Sequence, residues 1–290
     1  MNRYVKLNLD PNTKEWLDYR KDKIGMSDLG AIMGKDSWTS PLMKYEEKVF
    51  DKKRSSNAAM QRGHEEEPRA RDWINEKFGT NYQPVVLQSL IYPWLMCSLD
   101  GLDLAADHPI LEIKTPGKHT LDHAAQGIIS EGYQIQCQGQ MWFTGLEKVL
   151  FVAWDGKMGL RLSIQRNEKL VSEIESSAKA FRSRIINLDP PEPIGMDEHV
   201  IIDPSMNVKA ERLREIDKVL NQLQVERESI CEDLKKACGD HSVNVCNGYR
   251  ISQFLRKGNI PYSDIEEVKK MNLEKYRKQP TISWRFSNKQ

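Results

Sequence analysis

The stretch SLDGLDLAADHPILEIKTP, residues 98–116, decides how this chain is read. Asp100 closes one short apolar run, LMCSL, and Glu112-Ile113-Lys114 closes another, ILEIK. Between them lies the turn signal Ala105-Ala106-Asp107-His108-Pro109. Apolar runs flanking such a cluster predict two adjacent strands joined by a tight loop. Neighbouring strands lie about 4.8 Å apart, so Asp100 and Glu112 are candidates to share one metal ion. Alternation along a strand places Glu112 and Lys114 on one face and Ile113 on the other. Ile113 then packs inward and its carbonyl stays available as an oxygen ligand. Oxygen donors without His or Cys suit Mg²⁺ or Mn²⁺ better than zinc. A lysine beside such an ion orients or deprotonates a water, or stabilises charge on a phosphate. The competing reading is a solvated strand face that happens to carry Glu and Lys.

Composition narrows the choice of partner only loosely. The chain has 290 residues, 39% hydrophobic and 29% charged, enough for one large core or one core with an appendage. A formal net charge of +1 does not announce a nucleic-acid partner, although positive charge can concentrate in a channel. No apolar run approaches the ~20 residues that span a bilayer. The opening MNRYVKLNLDPNTKEW is too polar for a secretory signal. Five cysteines, Cys97, Cys137, Cys231, Cys238 and Cys246, contain no C-x-x-C pair, which fits free thiols and a cytoplasmic location. The spacing of Cys231, Cys238, His241 and Cys246 does not match paired zinc ligands.

Working outward, residues 12–23 read as a helix capped by Asn12 or Thr13. Ser27 or Asp28 caps a second helix, DLGAIMG, ending near Gly34. PLMKYEEKVFDK and residues 58–78 read as further helices. Pro68 inside the latter marks a kink or the point where the chain enters the helix, near Glu65–Glu67. Strands are expected at 83–92, 95–104, 110–114, 148–154 and 159–164, with helices at 119–145 and 166–187. The DPPEP run at 189–193 closes this unit. Residues 207–238 form a long amphipathic helix, and a small α+β tail follows, with short strands expected in NVCNGYRISQFL and TISWRF. The division expected is 1–195, 205–238 and 239–290.

Four blocks in order, WLDYRKDKIGMSDLGAIMG, RGHEEEPRARDWI, SLDGLD…LEIKTP and YQIQCQGQMWFTG, make residues 14–190 resemble the phage-type alkaline exonucleases. These are the lambda exonuclease and YqaJ-type viral recombinase family of metal-dependent nucleases, which share a D…E-x-K pattern. The resemblance implies an α/β (α+β) fold with a PD-(D/E)XK restriction-endonuclease-like core. A mixed central sheet would be flanked by helices, followed by a C-terminal helical extension and the small tail. It implies that Asp100, Glu112 and the Ile113 carbonyl hold one Mg²⁺, that Glu67 with Asp100 holds a second, and that Mn²⁺ can substitute. Glu67 is preferred over Glu65 and Glu66 because it stands just before Pro68-Arg69-Ala70-Arg71. Without the resemblance, all three glutamates read as residues favoured at a helix N-terminus.

The same resemblance assigns Lys114 to activate water and Gln136 to contact the phosphate, the water or the lysine. Arg20 and Ser27 would bind a terminal 5′-phosphate, and Lys118 and Tyr133 are candidate DNA contacts. Gln134 stands where a second Tyr is common and is expected to pack. His64, His119 and His123 receive no role. The implied activity is a Mg²⁺-dependent 5′–3′ exodeoxyribonuclease, processive on double-stranded DNA ends, phage- or prophage-encoded and acting in a bacterial cytoplasm. It would leave 3′ single strands for an annealing protein or single-strand binding protein, and act as a toroidal homotrimer. An endonuclease or a nuclease of opposite polarity on the same core, and a non-catalytic DNA-end-binding accessory, are the alternatives. The tail could recruit the annealing partner or brace the ring.

Overall fold

The computed structural model describes residues 3–11, 13–52, 58–256, 258, 261 and 265–271, excepting the side chains of residues 58–60, 118–120 and 269. The expected TISWRF strand, Asn12 and the side chains of Lys118 and His119 lie outside what is described. The chain divides into two units, Met1–His199 and Val200–Gln290.

The first unit is built on a seven-stranded sheet. Its elements run β1 (Tyr4–Leu7), α1 (Lys14–Arg20), β2 (Ile24–Gly25), α2 (Leu29–Ile32), α3 (Pro41–Phe50), α4 (Ala58–Phe78), β3 (Gln83–Ser89), β4 (Leu95–Leu102) and β5 (Ile110–Lys114). They continue through α5 (Lys118–Ala125), α6 (Glu131–Thr144), β6 (Lys148–Trp154), β7 (Gly159–Gln165) and α7 (Glu168–Asn187). The strand order is β1-β3-β4-β5-β6-β7, with β2 pairing parallel to β4. β5 and β6 are also parallel, and the remaining neighbours are antiparallel.

Local chemistry explains the helix ends. The Thr13 hydroxyl accepts from the Trp16 amide at 3.3 Å, Ser40 from Met43 at 2.9 Å, Ser130 from Tyr133 at 3.3 Å and Asn167 from Leu170 at 3.1 Å. Each pairs an amide that the first helical turn leaves without a partner. The expected single helix 119–145 is two: Gly127 turns at φ +77° and Ser130 restarts it as α6. Strand β1 was not legible, because four residues of YVKL carry too little alternation. Helix α4 runs unbroken through Pro68, so Glu65–Glu67 sit in its interior. This corrects the expectation of a helix entry point there. Proline still removes one donor from the ladder.

The sheet is covered on both faces. One face packs Leu95, Cys97, Leu99, Ile110, Val149 and Phe151 against α2, α6 and α7. The other packs Leu111, Ile113, Val152 and Trp154 against Ala70 and Ile74 of α4, and Val86 and Met96 against Trp16 of α1. The helix layer is tight. A Cβ on Gly139 of α6 would come within 2.2 Å of Leu29 Cδ1.

The second unit holds α8 (Pro204–Ala237), a hairpin of β8 (Val243–Cys246) and β9 (Tyr249–Ser252), and the short α9 (Glu266–Lys269). Asp203 caps α8 and Pro204 opens it, the position where proline costs no helical hydrogen bond. The hairpin turns at Asn247-Gly248, both with positive φ, as a two-residue turn between strands requires. No described helix is long and apolar enough to cross a membrane.

Candidate active site

The site forms where two strands part. The β4–β5 ladder pairs Gly101 with Leu111 and Leu102 with Ile110 and goes no further. The next rung would set Asp100 opposite Glu112. Instead β5 follows β6 for five pairs, Ile110 to Lys114. The Asp100 carboxylate fills the fork: its Oδ2 accepts from the Ile113 amide at 2.7 Å. On β4, Met96 and Ser98 face α1, where Trp16 Nε1 donates to Ser98 Oγ at 3.0 Å. A register shift in the β3–β4 pairing, between Leu99 and Leu102, interrupts the alternation at Asp100. Glu112 leaves the opposite face, toward α6. The two acids meet at the fork, where the Glu112 charge acts on Asp100.

Glu112 is 1% exposed and heavily tethered. Lys114 Nζ lies 2.5 Å from its Oε1, as the alternation of Glu112 and Lys114 predicts. Gln136 Nε2 donates to Oε1 at 2.6 Å, and Gln140 Nε2 donates to Oε2. Tyr133, Gln136 and Gln140 share one face of α6, and Lys114 Nζ stands 5.4 Å from the Tyr133 ring centre. Gln136 thus holds Glu112, where a contact to the lysine was one of the expectations. Gln134, expected to pack, is exposed.

Helix α4 delivers Glu67 through a brace absent from the sequence reading. Arg71 Nη1 binds Glu67 Oε1 at 2.9 Å and the Asp100 carbonyl at 2.5 Å. The i,i+4 spacing of Glu67 and Arg71 was the available signal. The other two glutamates go elsewhere. Glu66 accepts from Trp154 Nε1 at 2.8 Å and pairs with Arg69, and Glu65 is exposed beside Gln61.

Burial pushes the Asp100 carboxyl well above its usual range, and the neighbouring Glu112 and Glu67 charges push it further; Lys114 and the Ile113 amide only partly oppose this. Burial also works against the Lys114 charge, yet Glu112 and Asp100 hold its pKa above the ordinary lysine value. Cys97 and Cys137 lie nearby, and burial raises both thiols well above normal, which keeps them protonated and inert. Among the described residues no three His, Cys, Asp or Glu side chains form a ready-made metal cage. The donor set nevertheless suits a hard cation: carboxylates act on one another at the fork with their repulsion only partly offset by Lys114 and the Ile113 amide, and no imidazole or thiolate competes.

A second cluster surrounds Arg20 and Ser27. Arg20 Nη2 donates to Ser27 Oγ at 3.0 Å and to Asp28 Oδ1 at 2.5 Å, and its guanidinium lies 5.1 Å from the Trp16 ring centre. Asp28, 1% exposed, also meets Lys44 Nζ at 3.1 Å, Lys48 Nζ at 3.2 Å and the Gly25 amide at 2.9 Å. Burial alone would raise Asp28, but Arg20, Lys44 and Lys48 together pull it well below the carboxylate range. Arg20, Ser27, Trp16, Gly25, Met26, Met96 and Ser98 line a small pocket. Ser27 sits inside a 3₁₀ turn, Met26–Asp28, rather than at an open helix start. Sequence reading missed the roles of Asp28, Lys44 and Lys48, whose meeting depends on how α3 packs. His64 and His123 are exposed.

This geometry coincides with a family match. Residues 15–147 match the YqaJ-like viral recombinase domain. That match covers 133 of the 290 residues and falls within the first unit. The chain is similar to an alkaline exonuclease from Laribacter hongkongensis, LHK-Exo, at 27% identity and a TM-score of 0.54, over 61% of this chain and 94% of that one. LHK-Exo in complex with dAMP matches at 28% identity and a TM-score of 0.53, over the same shares. No curated protein sequence matches the chain. The YqaJ-like unit has a PD-(D/E)XK-like fold, a mixed sheet flanked by helices, and its relatives indicate a nuclease of the alkaline exonuclease and viral recombinase type.

Proposed function

We propose that the chain is a Mg²⁺-dependent exodeoxyribonuclease that engages ends of linear double-stranded DNA and hydrolyses one strand from 5′ to 3′. The observation that carries this reading is the fork, where buried Asp100 faces Glu112 and Glu67 with Lys114 beside them. Asp100, Glu112 and the Ile113 carbonyl would hold one Mg²⁺, and Glu67 with Asp100 a second. Bound there, the ions supply Lewis-acid neutralisation of charge on the scissile phosphate, and Mn²⁺ shares their ligand preference. Lys114 orients the attacking water, with Glu112 and the Tyr133 ring fixing its ammonium. Gln136 and Gln140 fix Glu112, and Arg71 fixes Glu67.

Polarity comes from the second cluster. Arg20 keeps donors beyond those given to Ser27 and Asp28, and arginine binds phosphate with paired charged contacts. Arg20 and Ser27 therefore take the terminal 5′-phosphate. Tyr133 contacts the strand near the fork, and Lys118 contacts backbone phosphate. That LHK-Exo binds dAMP, a nucleoside monophosphate, supports release of mononucleotides. The remaining 3′ strand passes to an annealing protein or single-strand binding protein. A homotrimeric ring around DNA gives processivity, in a phage or prophage protein acting in the bacterial cytoplasm.

The test is digestion of a blunt linear duplex labelled separately at its 5′ and 3′ ends, with Mg²⁺ or EDTA, beside Lys114→Ala and Arg20→Ala. Early Mg²⁺-dependent loss of the 5′ label as mononucleotide is expected. It should vanish in Lys114→Ala and lose its preference for phosphorylated ends in Arg20→Ala. Loss of the 3′ label first would overturn the polarity. End binding without digestion in any buffer would make the protein a binding module.

A further inference from the structure

Helix α8 runs for 34 residues and buries none of them. Six of its apolar residues nevertheless follow a heptad order, with Val208, Val219 and Val225 off it. Leu213, Leu220 and Leu234 fall on the a positions of a heptad repeat, and Ile216, Leu223 and Ile230 on the d positions. Arg227 takes the remaining a position. The repeat is 3.5 residues and persists for more than three heptads, the length that separates a coiled-coil seam from an ordinary amphipathic face. Leu220 is 57% and Leu223 54% exposed at the centre of this stripe. LHK-Exo is matched over 94% of its length by 61% of this chain, so more than a third of this chain lies outside that shared body.

Charge identifies the occupant. In a parallel, in-register pair of these helices, Arg212 at g faces Asp217 at e of the neighbour. Arg227 at a lies beside Glu226 at g of the neighbour, which gives the one polar seam residue an opposite charge. Both pairings need two copies of this same sequence running in the same direction. Leu at three of the four a positions with Ile at two of the three d positions favours three or four strands over two.

We propose that α8 is a coiled-coil helix that packs in parallel against α8 of other copies of this chain, through the seam from Leu213 to Leu234. The test uses the full chain with Cys231, Cys238 and Cys246 replaced by Ser, carrying Leu213→Cys or Leu234→Cys, oxidised mildly and resolved without reductant; every variant and the unsubstituted reference share this background. Each variant should form a disulfide-linked dimer at least tenfold faster than the unsubstituted chain. Lys218→Cys, at the outward f position, should form no more than that background. The two seam ends lie about 32 Å apart along the helix, so self-linking at both demands parallel register. Adding Leu220→Lys and Leu223→Lys to Leu213→Cys should remove the cross-link. Linking no faster than Lys218→Cys would overturn the proposal, as would linking only between Leu213→Cys and Leu234→Cys chains in a mixture. A cross-link undiminished by the two lysines would also overturn it.

Discussion

Removing the charge of Asp28 while keeping its shape tests whether the cation cluster is held together by one buried anion. Asp28→Asn retains an acceptor for the Gly25 amide, now at 2.9 Å. It leaves Arg20, Lys44 and Lys48, at 2.5, 3.1 and 3.2 Å from the present carboxylate, facing one another with only Glu47, 2.7 Å from Lys44, as counter-charge. Breaking a buried ion pair from one side costs about 3–5 kcal/mol. The cations keep some water, with Arg20 23% and Lys44 11% exposed, which places the loss near about 3 kcal/mol. For a unit of this size each kcal/mol moves Tm by roughly 2–4 °C, so the expected fall is about 6–12 °C.

The pH dependence has a defined sign. The folded pKa of Asp28 lies well below its ordinary value, so its stabilisation is full above the unfolded carboxyl pKa of about 3.9 and is lost as pH falls through the folded value. Calorimetric melts of native and Asp28→Asn protein should keep their separation from pH 8 to about pH 4 and converge only below it. A difference under 2 °C at pH 7, or one that disappears by pH 5, would refute the electrostatic account. In the end-labelled digestion, Asp28→Asn should also weaken the preference for 5′-phosphorylated ends, because Arg20 loses its anchor.

Asp100→Asn should abolish hydrolysis and yet raise the Tm of the metal-free protein, since it removes a buried charge that Glu112 and Glu67 repel; a lower Tm without metal would contradict this. Mg²⁺ at about 100 times its Kd should stabilise the native protein by about 2.7 kcal/mol and leave the Asp100→Asn melt unmoved. Arg71→Met should raise the Mg²⁺ concentration needed for half-maximal activity by roughly 10–100-fold, because Glu67 loses its brace, whereas an unchanged Mg²⁺ titration would remove Arg71 from the site. Gly139→Ala should cost about 1–3 kcal/mol in chemical denaturation, because its methyl would enter Leu29, and activity per folded molecule should stay close to native.

The strands around Asp100 and Glu112 were legible because apolar runs and a turn cluster are local signals, and alternation is a property of the backbone alone. The same holds for Lys114 lying beside Glu112, for Tyr133, Gln136 and Gln140 sharing a helix face, and for the amphipathic pattern of α8. Arg71 was within reach of the same logic, since it stands one turn after Glu67. Pro68 misled, because a proline inside α4 did not mark an end: burial of Ala70, Ile74 and the Trp73–Trp154 contact offsets one missing amide.

What the sequence by itself determined was the order of elements, the residues at strand ends that could carry chemistry, and the family the first unit resembles. Only the tertiary structure decided that the β4–β5 ladder stops short of Asp100 while β5 follows β6, which opens the fork where the two acids meet. Only packing brought Lys44 and Lys48 of α3 onto Asp28 and tied Glu67, already preferred on the resemblance, to Asp100 through Arg71. The physical reason is range. Helical and strand periodicities are set within a few residues, whereas strand partners and buried charge clusters depend on groups tens of residues apart, and their energies exist only once water has been excluded.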